Sequence, residues 1–425
     1  MKTNSKVLII GLVWPEPETT AAGSRMVQLI RLFSNSGMDV HFASTAAKTV
    51  NSVSPEDLGA TSHSIQLNDP AFDPWIEKLG PDLVVFDRFV TEEQFSWRVR
   101  QHCSSAVRIL DTEDLHFLRE ARRQALNQNK DDFKALLLND IALRELASIY
   151  RSDLTLIISE YENELLQAHF GLDKSLLHYL PFLLQDGEIH DGKDSPSYSD
   201  RKDFMTMGNW KHGPNRDSVY YLKEQVWPAL RRMMPDAKLH VYGAYGGESD
   251  LGLHDPTLGF FVEGWANSKK STYFSHRVCL APLRYGAGLK GKLLDSMRFG
   301  LPSVTTGIGA EGIAGDLPWN GFVADSPAQL AKAAVELYHD KALWNESRLN
   351  GWRIVKERFR EELFEKELLN RLDLLVSGIQ EHRTKNFTGA LLWHHNAQST
   401  KYLSKWIEAK NQYKQAVPRS PGQTE

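Results

Sequence analysis

Short, almost continuous apolar segments alternate along this chain with segments of helical periodicity. In the first half the apolar segments are residues 6–12, 39–44, 82–87, 106–111 and 153–159. Unbroken apolar strands are typical of parallel sheets covered on both faces. Between them apolar residues recur at helical spacing, as at Met26, Leu29, Ile30 and Phe33. The second half repeats the pattern, so we predict an α/β protein with two doubly wound, Rossmann-like domains that face each other across a cleft.

The polar segment 186–203 interrupts the alternation and contains almost no large apolar residue, so we interpret it as a linker. It separates a first domain, 1–185, from a second domain, 204–352. Helices follow at 353–382. The tail, 383–425, carries several large apolar side chains that need burial, among them Trp393 and Trp406, and is predicted to be helical. Its last nine residues are predicted to be disordered.

Composition excludes several classes of protein. The 425 residues are 41% hydrophobic and 24% charged, as in ordinary globular proteins. No apolar stretch reaches the ~18 residues of a membrane-spanning helix. The two cysteines provide no disulfide framework, which fits a cytoplasmic protein. Residues 1–190 have a net charge of −9 and the remainder +5. The pI near 6.4 and the lack of a recognisable motif argue against nucleic-acid binding.

Residues 277–306 carry the clearest chemical signal. They contain an apolar strand, a glycine loop (Gly286, Gly288) and a predicted helix from about 289 to 299. A helix N-terminus presents unpaired amides and partial positive charge, and Lys290 and Lys292 add cations there. With Asp295 nearby, such a site is suited to a diphosphate and a ribose. The alternative is an ordinary glycine turn before a surface helix.

The sequence PLRYGAGLKGKLLDSMRFGLPSVTT at 282–306 resembles the donor signature of GT-B-fold retaining glycosyltransferases of family 4. The segment from Met207 to Trp210 and the segment 306–312 resemble two further family motifs, in the expected order. The resemblance covers about 203–365 and is looser in the first half. One position departs from it: Ala287 stands where many members have a glutamate near the donor sugar.

This resemblance implies roles for both domains and for individual residues. The first domain would bind the acceptor, the second the nucleotide-sugar donor, and residues 353–382 would cross back to the first domain. The implied catalytic residues are His116, Lys292 and Lys211. The implied donor-binding residues are Gly208, Gly288, Leu289, Lys290, Asp295 and Glu311. An acceptor or phosphate loop would contain Gly23, Ser24, Arg25 and Asp114.

The doubly wound arrangement itself supports two of these positions, because ligands bind at the carboxyl ends of parallel strands. Gly23, Ser24 and Arg25 follow the first strand and are predicted to open its helix. His116 follows the strand ending near Leu110, where Asp111 or Asp114 would set its tautomer. The alternative for Asp114 is that it caps the helix that follows.

The predicted function is transfer of a sugar from a nucleoside diphosphate sugar to a hydroxyl of a glycan or lipid-linked acceptor. The resemblance implies retention of configuration, surface polysaccharide or glycolipid synthesis, and no metal or cofactor besides the nucleotide-sugar co-substrate. Peripheral contact with the inner face of a membrane is a further expectation. Two alternatives stay open: a nucleotide-sugar epimerase of the same fold, and a catalytically silent nucleotide-sugar-binding subunit.

Overall fold

The computed structural model describes residues 5–130, 132–192 and 195–416. The predicted disordered end, 417–425, lies outside the described residues. The first-domain strands are β1 Lys6–Gly11, β2 Asp39–Ser44, β3 Ala60–Ser64, β4 Leu83–Asp87, β5 Val107–Asp111, β6 Leu154–Ile157 and β7 Leu177–Tyr179. The second-domain strands are β8 Lys202–Met207, β9 Leu239–Tyr242, β10 Phe260–Gly264, β11 His276–Ala281, β12 Ser303–Thr305 and β13 Gly321–Val323.

Sixteen α-helices are assigned within the described residues. In the first domain they are α1 Ala21–Asn35, α2 Phe72–Leu79, α3 Arg88–His102, α4 His116–Asn127, α5 Asp140–Arg151 and α6 Glu160–Ala168. The second domain contains α7 Gly213–Tyr221, α8 Trp227–Met233, α9 Glu248–Leu251, α10 Lys269–Ser275, α11 Gly291–Arg298, α12 Gly307–Ala310 and α13 Pro327–His339. The last three are α14 Lys341–Arg358, α15 Glu365–Lys385 and α16 Phe387–Ala416. No described helix is both long and apolar enough to span a bilayer.

Both sheets are parallel and doubly wound, which confirms the predicted fold class. The strand orders are β3-β2-β1-β4-β5-β6-β7 and β10-β9-β8-β11-β12-β13. In each sheet the order reverses beside the domain's first strand, between β1 and β4 or between β8 and β11. Ligands of doubly wound proteins bind at this point. The topology therefore directs the loops after these four strands toward one cleft.

Alternate residues of each central strand enter different apolar layers. Val7 and Ile9 of β1 pack in the layer that also holds Leu368 and Leu372 of α15, whereas Leu8 and Ile10 pack on the opposite face. The helix α15, near the carboxyl end of the chain, thus completes the core of the first domain. A separate cluster joins the two domains, with Ile158 of the first domain among its members.

Two short strands, β3 and β7, were not predicted from the sequence, because neither is a continuous apolar run. The helix expected at about 289–299 is shorter, Gly291–Arg298, so Lys290 precedes it as the N-cap residue. The strand β8 begins at Lys202, inside the segment predicted as a linker. The domain limits otherwise stay a prediction.

Candidate active site

The loops after β1, β8 and β11 border an interdomain cleft with a volume of about 570 Å³. Of the residues predicted as functional, those on its walls are His116, Lys292, Lys211, Leu289, Lys290, Asp295, Gly208, Ser24 and Asp114. Four others do not line it: Gly288, Glu311, Gly23 and Arg25. The structure therefore brings most of the predicted residues into one cavity from both domains.

Two helix N-termini converge at this cleft. Gly291 begins α11, and a methyl group added at Gly291 would lie 2.9 Å from the Cβ atom of Ala21, the first residue of α1. The first amides of a helix have no intrahelical acceptor, and the helix dipole places partial positive charge there. Because α1 belongs to the first domain and α11 to the second, both domains direct positive potential at the same space.

Two lysines add full charges to that potential. Lys290 is 7% exposed and its ammonium group donates a hydrogen bond to the carbonyl oxygen of Gly288 at 2.7 Å. Burial lowers the pKa of Lys290 to about 8 and, separately, that of Lys292 to about 8. Among the described residues, no carboxylate oxygen lies within 4 Å of either ammonium nitrogen. Both lysines are thus cations in need of an anionic partner.

The glycine loop is held by a buried glutamate that sequence reasoning missed. Glu162 of α6 accepts a hydrogen bond from the amide of Gly288 at 2.7 Å and another from the amide of Leu115 at 3.1 Å. Burial raises the pKa of Glu162 to about 7. The Gly288 amide is therefore already engaged, which corrects its predicted role in donor binding. Gly288 has a φ of +62° and lies against Asp114, where a methyl group would come within 2.8 Å of the Asp114 Cβ atom.

His116 begins α4 beside the cleft, and its ring meets Phe89 edge-on. Its Nε2 atom lies 3.3 Å from an oxygen of Asp114, which also pairs with Arg119. Burial lowers the pKa of His116 to about 4 despite the neighbouring carboxylate. The imidazole is therefore neutral at pH 7 and can either donate or accept a hydrogen bond. Asp114 does not cap α4, since the N-cap residue is Leu115.

Glu113 is a second cleft residue that sequence reasoning did not select, although the polar run after β5 contains it. Its φ of +64° is unusual for a non-glycine residue, and such strain costs about 1–3 kcal/mol. The side chain is 9% exposed and lines the cleft, and its Oε1 atom has no hydrogen-bond partner within the described chain. Burial, reinforced by Asp111 and Asp87, raises the pKa of Glu113 well above its ordinary value. Glu113 thus presents a carboxyl group suited to a bound hydroxyl.

Three residues of the predicted acceptor or phosphate loop have hydrogen-bond partners within the protein. The helix α1 begins at Ala21, and the Gly23 amide donates to the hydroxyl of Thr20 at 2.8 Å instead of facing a ligand. Ser24 does line the cleft, but its hydroxyl donates to the carbonyl oxygen of Pro17 at 2.9 Å. Arg25 is 1% exposed, and its guanidinium donates to Asp111 and to the carbonyl oxygens of residues 180 and 181. Arg25 therefore holds strand ends together and leaves Asp111 unable to orient His116.

Glu311 was expected to contact the donor and instead forms an interdomain ion pair. Both its carboxylate oxygens accept hydrogen bonds from Arg122 of α4, at 2.7 and 2.9 Å. The same guanidinium donates to the carbonyl oxygen of Gly286 at 2.8 Å. Because Arg122 belongs to the first domain, this pair fixes the glycine loop against the opposite domain.

The remaining predicted residues lie on the cleft wall as follows. Asp295 forms ion pairs with Arg298 at 2.9 Å and with Lys269 at 3.8 Å. Lys211 is exposed, with its ammonium 4.1 Å from the ring centre of Tyr245. Gly208 directly follows β8, and a side chain there would collide with the side-chain amide of Asn215. His212 follows Lys211 in the chain. Burial is the main cause that lowers the pKa of His212 to about 4, and the charge of Arg119 is the second.

The loop after β1 closes over the second domain. Tyr245 donates a hydrogen bond to the Glu16 carboxylate at 2.8 Å, and Lys269 donates to the carbonyl oxygen of Pro17 at 2.6 Å.

Within the part of the chain that the structure describes, no group of three or more His, Cys, Asp or Glu side chains could hold a metal ion. The cleft wall offers cations, backbone amides and carboxyl groups to a ligand.

Comparison with known proteins agrees with this geometry. Residues 201–340 match the family model described as glycosyl transferases group 1. No curated protein sequence matches the chain. Sucrose-phosphate synthase from Thermosynechococcus elongatus matches with a TM-score of 0.68 and 15% identity, covering 88% of this chain and 100% of that one.

Two further solved structures are similar over most of the chain. HepE from Anabaena, in complex with UDP and glucose, has a TM-score of 0.63 and 13% identity, covering 87% of this chain and 100% of that one. WaaG, a glycosyltransferase involved in lipopolysaccharide biosynthesis, has a TM-score of 0.58 and 13% identity, with coverages of 85% and 98%. These likenesses confirm the predicted GT-B fold. The protein therefore has the GT-B fold, and the part of its second domain at residues 201–340 matches the family model of glycosyl transferases group 1, in line with the glycosyltransferase class predicted from the sequence.

Proposed function

We propose that the protein transfers a sugar from a nucleoside diphosphate sugar to a hydroxyl acceptor, with retention of anomeric configuration. The observation that carries this proposal is the convergence of two helix N-termini with Lys290 and Lys292 at one end of the cleft. Amides, helix dipoles and unpaired cations together form a site for a diphosphate. The match of residues 201–340 to group 1 glycosyl transferases supports a sugar nucleotide as the ligand.

The rest of the donor would lie along the second domain. The carboxyl ends of β9 and β10 bring Ala244, Trp265 and Ala266 to the cleft wall, which offers apolar surface to a nucleobase. Asp295 is placed to accept hydrogen bonds from ribose hydroxyls. The sugar would then lie between the glycine loop and His116, close to Glu113.

In the proposed reaction the bond between the anomeric carbon and the diphosphate oxygen breaks, and its electron pair goes to the leaving diphosphate. The acceptor oxygen forms a new bond to that carbon on the same face, and the acceptor proton passes to the departing phosphate oxygen. Lys290, Lys292 and the amides at the start of α11 stabilise the developing negative charge. Neutral His116 holds a sugar hydroxyl without competing for the phosphate.

The acceptor would enter from the first domain, at the carboxyl ends of β1 and β4. Arg31 of α1 lies on the first-domain wall of the cleft and can contact a polar or anionic acceptor. By analogy with WaaG, we propose a glycan or lipid-linked acceptor in surface polysaccharide or glycolipid synthesis, at the cytoplasmic face of a membrane.

The donor site is tested by thermal stabilisation with UDP, GDP, ADP and CMP, and then with their sugar conjugates. A ligand at one hundred times its Kd stabilises the folded protein by about 2.7 kcal/mol. We expect one diphosphate series to raise the Tm of the wild type and of Lys332→Ala, an exposed lysine on α13. The same series should raise the Tm of Lys292→Ala by a clearly smaller amount, because one of the two cations is missing.

Absence of stabilisation by every nucleotide, or an equal shift in Lys292→Ala, would contradict the proposed site. Transfer and retention are tested next, by incubating the matched sugar nucleotide with acceptors and determining the anomeric configuration of the product by NMR. Binding of donor with no transfer to any acceptor would favour a silent subunit. Conversion of the sugar nucleotide to its epimer without transfer would favour an epimerase.

A further inference from the structure

The last helix, α16, has a fixed orientation on the first domain. Trp393 is 5% exposed and donates a hydrogen bond from its indole nitrogen to the carbonyl oxygen of Arg151 at 3.1 Å. Eleven residues further along, on the same side of the helix, Ser404 is also buried. Near the helix start, Asn386 donates to the carbonyl oxygen of Tyr150 at 2.7 Å. These contacts decide which side of α16 faces the protein and which faces solvent.

The solvent side carries a row of aromatic and aliphatic side chains. Phe387, Leu391, Tyr402, Trp406 and Tyr413 follow one another at intervals of four, seven or eleven residues, which a helix places on one side. We call these five residues the outward face. Phe387 is 75% exposed, Tyr413 70% and Trp406 60%.

This exposure is specific to α16. Elsewhere in the described chain, the exposed aromatic side chains are Tyr245 at 37% and Trp265 at 41%, and both belong to the cleft or its rim. A soluble domain rarely leaves a contiguous apolar row in water without a binding function. The outward face is therefore an interaction surface that the proposed transfer reaction does not explain.

The charged side chains around the outward face indicate what kind of partner it binds. Lys405, Lys410 and Lys414 are exposed around the outward face, and no carboxylate of the described residues lies within 4 Å of their ammonium groups. The single acidic residue between 387 and 414 is Glu408, which points inward and pairs with buried Arg98. The solvent side of α16 therefore carries positive charge, and no acidic side chain of this helix neutralises it there.

We propose that the outward face of α16 docks the protein on an anionic lipid surface. Tyrosine and tryptophan occupy the headgroup region of bilayers, and lysines extend past an apolar row to reach lipid phosphates. A protein partner is disfavoured because lysine is depleted from protein interfaces. The Lys410 side chain lies over Trp406, with its ammonium nitrogen 5.0 Å from the ring centre.

The test is sedimentation of the full-length protein with vesicles of phosphatidylcholine, alone or with about one third phosphatidylglycerol. We expect binding to the anionic vesicles, weakened by salt, and little binding to the neutral ones. The variant Tyr402→Ser/Trp406→Ser/Tyr413→Ser should lose about tenfold or more in apparent affinity. The variant Lys405→Gln/Lys410→Gln/Lys414→Gln should lose the preference for anionic lipid.

A matched control changes three exposed apolar residues of the second domain, Met233, Val323 and Leu349, to serine and should bind like the wild type. All substituted side chains are exposed, so each variant should keep the wild-type Tm. As a second readout, the blue shift of tryptophan fluorescence on anionic vesicles should be reduced in Trp406→Phe.

The proposal is overturned if the wild type does not bind anionic vesicles, or if the aromatic variant binds them as tightly as the wild type does. It is also overturned if the aromatic variant converts a dimer to a monomer while neither form binds vesicles, since the outward face would then join two copies. None of these measurements uses donor or acceptor, so they succeed or fail independently of the proposed transferase activity.

Discussion

The two walls of the cleft differ in whether their positively charged side chains are paired with carboxylates. On the first-domain wall and behind it, four arginines are matched with carboxylates: Arg25 with Asp111, Arg88 with Asp87, Arg119 with Asp114 and Arg122 with Glu311. On the second-domain wall Lys290 and Lys292 have no such partner within the described residues. Lys290 is buried and Lys292 is half-buried, and the partial removal of these two charges from water is an electrostatic cost to the ligand-free protein, as their lowered pKa values indicate.

This contrast separates structural charges from functional ones. A paired charge positions the backbone and is insensitive to ligand, whereas an unpaired buried cation gains stability only when an anion arrives. Asp295 falls between these two kinds of charge. It forms ion pairs with Lys269 and Arg298, and it also lines the cleft. The predictions below test the contrast, in order of decreasing effect.

Removing a paired charge should mainly reduce stability. Arg25→Met leaves Asp111 buried without its partner, and breaking such a pair typically costs about 3–5 kcal/mol in free energy of unfolding. Urea unfolding measures this loss, and Arg25→Met/Asp111→Leu should recover part of it. A change below about 1 kcal/mol in the single variant would show that the pair is not structural.

Removing an unpaired charge should mainly reduce catalysis. Lys292→Ala removes a cation that faces the departing diphosphate, and loss of one such group lowers rates by about 10²–10³. Exposed Lys211→Ala should lower kcat/KM by less than about tenfold. Steady-state kinetics with the identified donor checks this ranking, and equal losses in the two variants would contradict it.

Donor binding should depend on pH in the range where the lysines titrate. The pKa values of Lys290 and Lys292 are each lowered to about 8 in the free protein, and a bound diphosphate raises them. Affinity should therefore be constant below pH 8 and fall above it, by up to about tenfold per pH unit for each lysine. Titration calorimetry from pH 7 to 9.5 measures the slope, which should be smaller in Lys292→Ala.

The same lysines should affect the stability of the ligand-free protein with the opposite sign. Their folded-state pKa values lie below the unfolded value of about 10.4, so between pH 8 and 10.4 the unfolded chain binds more protons. Their contribution to stability should thus rise with pH in this range, and Lys292→Met should reduce that rise. An unchanged slope in the variant would show that Lys292 is not desolvated.

Glu113 gives the smallest expected effect. Its pKa is raised by burial, so its contribution to stability is complete below about pH 4.3 and is lost as pH rises through the folded-state pKa. Glu113→Gln should therefore be more stable than the wild type at pH 7 and no more stable at pH 4. Thermal unfolding at the two pH values tests this, and identical pH dependence in both proteins would contradict it.

Sequence reasoning selected most of the second-domain residues that line the cleft, because their signal is local. Strand, glycine loop, lysines and Asp295 all lie within 277–306, and the first amides of a helix need no distant residue to become an anion site. Arg25 and Glu311 do not line the cleft, for the opposite reason. Each has a polar neighbourhood in sequence, yet its ion-pair partner is distant along the chain: Arg122 for Glu311 and Asp111 for Arg25. Gly23 differs, since its amide is bonded locally to Thr20.

The residues that were missed show the same limit. Glu162 lies in the middle of an ordinary amphipathic segment, and nothing in that segment indicates that its carboxylate reaches the Gly288 amide in the other domain. Glu113 was visible as one of several polar residues after β5. Only the fold showed that it alone combines a strained backbone with a buried, unpartnered oxygen at the cleft.

The amino-acid sequence by itself determined the α/β class, the two doubly wound domains and the helix N-terminus that faces the cleft. These features follow from the periodicity of apolar residues and from short-range turn and helix geometry, which a linear pattern encodes directly. The tertiary structure decided which charges are paired and which remain available to a ligand, and which side of α16 faces solvent. Pairing depends on distances between residues far apart in the chain, and hydrophobic packing of the two domains sets those distances.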